Sequence, residues 1–193
     1  IEAALGDLAG VEILIFEPTK QYQNVTKRTG QQTLTPARAM ISELIRRYWV
    51  MGMECSLLEV QKLAWFLERA IEKRMVNFEG LSNPLDLRFE ANIYGPYADR
   101  LRHLLSGLDG SYLSSDKAIN DSEPLAVVWF NDAKKDALHV YLNSQAFAPY
   151  IPSLKETESL IDGFESPFGL ELLSTVDWLM AKQGVEPNVE AIK

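Results

Sequence analysis

The sequence predicts an α+β fold: a mainly helical single domain with a small antiparallel sheet, preceded by a helix–strand remnant of another unit. Three observations predict it. Capped segments with apolar residues at helical spacing fill most of the chain. Short β-rich or alternating stretches interrupt them. A polar stretch without periodicity, KQYQNVTKRTGQQTLT, separates the first 18 residues from the rest. With 193 residues, 47% of them hydrophobic, the chain suffices for one ordinary core.

Ile1, Ala4, Leu5 and Leu8 space as a helix that Gly10 stops, and VEILIF (Val11 to Phe16) reads as a strand. Residues 19–35 read as a linker. Thr35 then caps a helix with Pro36 at its first position and a stripe of Met40, Ile41, Leu44, Ile45 and Tyr48, ended by Gly52. Ser56 and Glu59 form a capping box for a helix lined by Leu57, Val60, Leu63, Ala64, Leu67 and Ile71. Alternation of Leu85, Leu87, Phe89, Ala91 and Ile93 predicts an extended strand, and a Gly-Pro turn leads into a helix through Leu101, Leu104 and Leu105. LAVVWF (Leu125 to Phe130) predicts a strand, with ALHVYL (Ala137 to Leu142) as its hairpin partner across the turn NDAKKD. Ser153 with Glu156 predicts another capping box, and Ser166-Pro167 the start of the last helix. On a helical wheel Leu170, Leu172, Leu173, Val176, Leu179 and Met180 form its core face. The expected boundaries are a remnant over 1–18, a linker over 19–35, one domain over 36–182 and a tail over 183–193.

No apolar run reaches the roughly 20 residues that span a bilayer, and the N-terminus has no signal-peptide pattern. Without an initiator Met, the chain reads as a fragment of a longer protein. Cys55 is the only cysteine, which suits a reducing, cytoplasmic setting. The net charge of −8 argues against direct nucleic-acid binding. All of that imbalance lies in the second half. Ile1 to Leu105 carries 13 acidic and 13 basic residues, whereas Ser106 to Lys193 carries 14 acidic and 6 basic.

Motifs for catalysis are scarce. His103 on a helix and His139 in the expected strand are the only histidines, and with Cys55 they give no nucleophile–base pattern and no metal spacing. GLDGSY reads as a turn, because it lacks the Lys-Ser/Thr of a phosphate loop. The expectation is a chain with no catalytic residue, cofactor or metal. The acids remain to be explained. Between Ile151 and Trp178, Glu156, Glu158, Asp162, Glu165, Glu171 and Asp177 stand against Lys155 alone. They read either as a solubilising face or as a surface for a basic partner.

The blocks SLLEVQKLAWFLE, RFEANIYGPYADRLRHLL and GFESPFGLELLSTVDWL resemble the C-terminal neutralising domain of DarG-type antitoxins, and the first segment with FEPT is similar to the end of their macro domain. VQKLAWF with YGPYA is also similar, more distantly, to the SocA-like antitoxin module. The DarG-type resemblance implies a cytoplasmic bacterial antitoxin whose domain binds and blocks a DarT-type DNA ADP-ribosyltransferase toxin. Removal of ADP-ribose from DNA would belong to the macro domain upstream, so this chain itself would be no enzyme. The acidic half would then mimic DNA in the toxin's basic groove. Asp116, Asp121, Glu123, Glu156, Glu158, Asp162, Glu165 and Glu171 are the expected toxin-binding residues. An adapter delivering a toxin to a protease and a structural dimerisation domain stay open as alternatives.

Overall fold

The computed structural model describes residues 30, 33–50 and 54–188, without the side chains of 49 and 50. The expected remnant over 1–18, most of the linker, the Gly52 stop and the last tail residues lie outside these. Among the described residues six helices dominate: α1 (Pro36–Val50), α2 (Leu57–Met75), α3 (Asp99–Leu108), α4 (Lys135–Leu142), α5 (Ile151–Ile161) and α6 (Pro167–Gln183). Two separate antiparallel pairs complete the fold. One joins β1 (Glu90–Asn92) to β2 (Gly95–Tyr97), and the other joins β3 (Leu113–Ser115) to β4 (Val128–Phe130). The expected mainly helical fold with a small antiparallel component therefore stands.

Helix α2 is the axis of the domain. Its start is the predicted capping box: Ser56 accepts from the Glu59 amide, and Glu59 accepts from the Ser56 amide and hydroxyl. Leu63, Leu67 and Ile71 are wholly buried, and each contributes about 1.5–3 kcal/mol. α5 and α6 pack along this helix, and α1 and β2 also touch it. So much of its surface is covered that Glu59, Gln61, Lys62 and Glu68 are buried too. Buried polar groups must find partners. The Tyr48 hydroxyl donates to Glu59 at 2.6 Å, and Glu68 accepts from the Leu87 amide and the Asn83 side chain.

That last contact corrects the strand expected from Leu85 to Ile93. Only Glu90–Asn92 is a strand, because the amides of Leu85 and Leu87 bond to the side chains of Asn83 and Glu68, not to a neighbouring strand. Asp86 and Arg88 sit at φ +42° and +57°, left-handed backbone that alternates with the buried leucines and imitates a period of two. The Gly-Pro turn is likewise part of a strand, β2, paired as Asn92 with Gly95 and Glu90 with Tyr97.

ALHVYL is not a hairpin partner. Strand β4 is already paired with β3, Leu113 opposite Phe130, and the Asn131 side chain accepts from the Ala133 amide and turns the chain into a helix. In α4, Leu138 is buried and Tyr141 and Leu142 pack beside it, a helical spacing. LAVVWF contributes only Val128–Phe130 to the sheet, although Val127 forms an isolated bridge with Ser56. The box at Ser153 is also corrected. α5 begins two residues earlier, after a 3₁₀ turn over Ala148–Tyr150, so Ser153 lies inside the helix. Ser166 caps α6 as expected, accepting from the Gly169 amide.

The buried side of α6 differs from the wheel. Leu170 and Ser174 are buried, Leu173 and Trp178 pack on the core, and Leu172 and Met180 are exposed. Polar contacts decide this rotation. Asp177 turns toward α2, where it accepts from Trp65 Nε1 at 2.8 Å and pairs with Arg69 at 2.9 Å. Trp178 tilts against Trp65, with ring centroids 5.1 Å apart.

Asp177→Ala is expected to destabilise the domain by about 1–3 kcal/mol, because the buried indole N–H of Trp65 loses its acceptor. Glu156→Ala, which breaks a more exposed pair with Lys73, should cost less than about 1 kcal/mol. Urea unfolding of both variants checks the contrast, and equal losses would refute it.

Candidate functional site

A cleft of about 230 Å³ opens between the start of α2, the β1–β2 hairpin and α3. Its sequence origin is the pair Gln61-Lys62, two polar residues inside the apolar run VQKLAWF. Gln61 is buried, and its amide bonds twice to one residue: Nε2 donates to the Ala98 carbonyl at 3.1 Å, and Oε1 accepts from the Ala98 amide at 2.9 Å. Ala98 is the residue before α3, with no side-chain cap of its own. Lys62 is wholly buried, and its ammonium donates to the Pro96 carbonyl at 2.8 Å. These bonds give a physical reason for VQKL and YGPYA to occur together: the helix residues hold the backbone of the turn.

Gly95, at φ +79°, makes the approach possible. A Cβ there would lie 2.6 Å from the Thr175 hydroxyl of α6 and 3.5 Å from Lys62 Nζ. The hairpin tip then presents Asn92 and Tyr94 to the cleft, and Tyr97 lines it from β2. Leu57, Leu58, Leu105 and Pro124 supply apolar wall. Arg102 of α3 also lines it, while donating to the carbonyls of Asn120 and Ser122 and so fixing the adjoining loop.

Burial lowers the Lys62 pKa to about 8, with the Glu171 carboxylate on α6 opposing the shift. A lysine titrating near neutrality beside a cleft marks a candidate site. Other shifts are structural. Burial pushes the Cys55 thiol well above its usual value, which fits an inert buried residue and not a nucleophile. Burial opposes the ionisation of Glu43, but hydrogen bonds from Arg46 and Arg47 outweigh it and hold the carboxyl low. Both His103 and His139 are exposed on helices, so the expected strand position of His139 is corrected.

The expected acidic residues do not form one surface around this cleft. Glu156 pairs with Lys73 at 2.7 Å, and Glu158 with Arg47 at 2.6 Å. Together with Asp177 and Arg69, these pairs correct the reading of uncompensated acids: α5 and α6 meet basic residues on α1 and α2. Glu158, Asp162 and Glu165 line a different groove beside Arg47 and Tyr48. Asp116, Asp121 and Glu123 are exposed on the connection between β3 and β4. Glu171 alone acts on a cleft residue, through Lys62. Among the described residues no cluster of His, Cys, Asp or Glu has the make-up of a metal site, and no helix is long and apolar enough to cross a membrane.

No family model matches the chain. Relatives do. A Thermus aquaticus protein named DNA ADP-ribosyl glycohydrolase is 33% identical over 186 residues, covering 95% of this chain and 47% of the relative. Proteins of the same name from Mycobacterium tuberculosis and Mycobacterium bovis are 28% identical over 203 residues, covering 98% of this chain and 53% of theirs. The chain thus spans about half the length of the curated relatives it matches. These names agree with the DarG-type resemblance at the level of the glycohydrolase. They overturn the expectation of a non-enzymatic, toxin-blocking fragment, because proteins named for an enzyme match nearly all of this chain. The adapter and dimerisation alternatives fall with it.

The low pKa of Lys62 sets a pH test. Its folded pKa of about 8 lies below the ordinary 10.5, so the unfolded chain binds the proton more tightly. Stability therefore rises with pH between about 8 and 10.5 and is flat in this respect below 8. Relative to Lys62→Met, which cannot titrate, the parent should gain about 3 kcal/mol across that window, at about 1.4 kcal/mol per unit. Urea unfolding of both proteins at pH 7.5, 9 and 10.5 measures the difference. A constant difference would show that burial does not perturb Lys62.

Proposed function

We propose that this chain is part of an enzyme, a DNA ADP-ribosyl glycohydrolase that removes ADP-ribose from DNA. One observation carries the reading: relatives with that name match the chain along 95–98% of its length. In the reaction the bond between the anomeric carbon of the ribose and the DNA breaks, and its electron pair leaves with the DNA atom. Water gives its hydroxyl to the carbon and its proton to the leaving atom. Such an enzyme has to hold a substrate that is anionic at the diphosphate and planar at its bases. The cleft favours both features, with the half-buried Arg102, backed by the buried Lys62, for the charge and Tyr94 and Tyr97 for a ring. The described domain thus serves the reaction by binding and orienting its substrate.

The natural protein, incubated with ADP-ribosylated single-stranded DNA, is expected to release free ADP-ribose, measured by chromatography. Deleting residues 36–182 should lower kcat/KM by at least tenfold. No release by the intact protein would overturn the activity, and full kcat/KM in the deletion would separate this domain from it.

A further inference from the structure

We infer that the cleft between α2, the β1–β2 hairpin and α3 receives a single unpaired nucleobase together with its attached phosphate. The inference rests on the proposed activity only for the origin of that base, which is either a nucleotide of the DNA strand or the adenine of ADP-ribose. Both share the chemistry of a flat heterocycle joined through a sugar to a phosphate.

Size is the first argument. A volume of about 230 Å³ lies below the roughly 300–1,000 Å³ of pockets that enclose a complete ligand, so it suits one ring system of a larger molecule. The walls are the second. Tyr94 and Tyr97 line the cleft with aromatic rings, and neither hydroxyl makes a hydrogen bond among the described residues. Tyr94 is 45% exposed and Asn92 is exposed at the hairpin, so both are open to a ligand. Stacking on tyrosine and an amide at the edge of the ring are the ordinary means of holding a base taken out of its stack.

Charge is the third. Lys62 spends one of its three ammonium donors on Pro96, and that is its one hydrogen bond among the described residues. Among the described residues no carboxylate lines the cleft, although the chain as a whole carries −8. An extended phosphate backbone is repelled by such a chain, whereas one phosphate beside the half-buried Arg102, with the buried Lys62 ammonium behind the cleft wall, is attracted. The same balance that excludes a groove tracking a strand leaves room for a single nucleotide. The hairpin that carries Asn92 and Tyr94 is held by Lys62 through Pro96 and by Gln61 through Ala98, so the base would rest on a positioned edge.

The test uses the 193-residue chain with AMP, ADP-ribose, a single-stranded trinucleotide and ribose 5-phosphate, followed by NMR titration. AMP or the trinucleotide should bind at least tenfold more tightly than ribose 5-phosphate, which has no base. Tyr94→Ala, at an exposed position that spares the fold, should weaken that binding about tenfold, and Asn92→Ala severalfold, with unchanged melting. AMP and ADP-ribose ahead of the trinucleotide would assign the adenine of ADP-ribose; the reverse order would assign a DNA base. Equal affinity for ribose 5-phosphate and AMP, no binding of either base-containing probe, or an unaffected Tyr94→Ala would overturn the inference. Base binding in a natural protein that releases no ADP-ribose would sustain it while refuting the proposed activity. Release of ADP-ribose without base binding would do the opposite.

Discussion

The constraint on which the rest of the domain depends is the burial of a helix that is not wholly apolar. α2 is covered by neighbours on so many sides that four of its polar side chains, Glu59, Gln61, Lys62 and Glu68, lie out of water. Each unpaired group there would cost about 1–3 kcal/mol, so each dictates where some other segment must run. Glu68 holds the Leu87 amide, Gln61 holds both backbone groups of Ala98, Lys62 holds the Pro96 carbonyl, and Glu59 holds the Tyr48 hydroxyl. Segments distant in sequence are thus positioned by one helix.

The cleft follows from the same constraint. Because Lys62 and Gln61 fix the turn between β2 and α3, the hairpin tip projects Asn92 and Tyr94 beside the start of α2. Glycine at position 95 is required by two demands at once, a positive φ and a contact with Thr175 closer than any Cβ allows. The buried ammonium is the cost of this arrangement, visible as a pKa lowered by desolvation. Candidate functional groups in this domain are therefore also structural groups, and their titration is tied to folding.

The charge asymmetry between the two halves has a structural meaning as well. The acidic helices α5 and α6 lie against α2, and the pairs Glu156–Lys73, Glu158–Arg47 and Asp177–Arg69 join the acidic half to the neutral half. Exposed pairs of this kind contribute little energy individually, but they select which face of each helix turns inward. Asp177 and Trp178 turn α6 away from the wheel's apolar arc and leave Leu172 in solvent. The relatives change the functional reading in a comparable way. Absence of a familiar catalytic motif suggested no enzyme, whereas similarity along nearly the whole chain points to a part of one.

By itself, the sequence determined the elements whose signals are local. The α1 stripe, the Ser56–Glu59 box and the Ser166-Pro167 start need only neighbours a few residues away, and all appear as read. The site was only partly legible. Gln61 and Lys62 are two polar residues in an apolar run, but what they do is decided by partners that lie 37 and 34 residues downstream. Tyr97 and Arg102 gave no local signal at all. Tertiary structure decided what pairing partners compete for. ALHVYL is helical because β3 already occupies β4, and Leu85 to Phe89 is irregular because its amides belong to side chains. It also decided where the acids go, since a charge count along the chain cannot see a lysine or arginine brought alongside by packing. Local spacing fixes which conformations are cheap; only the folded chain fixes which buried group is satisfied by which distant partner.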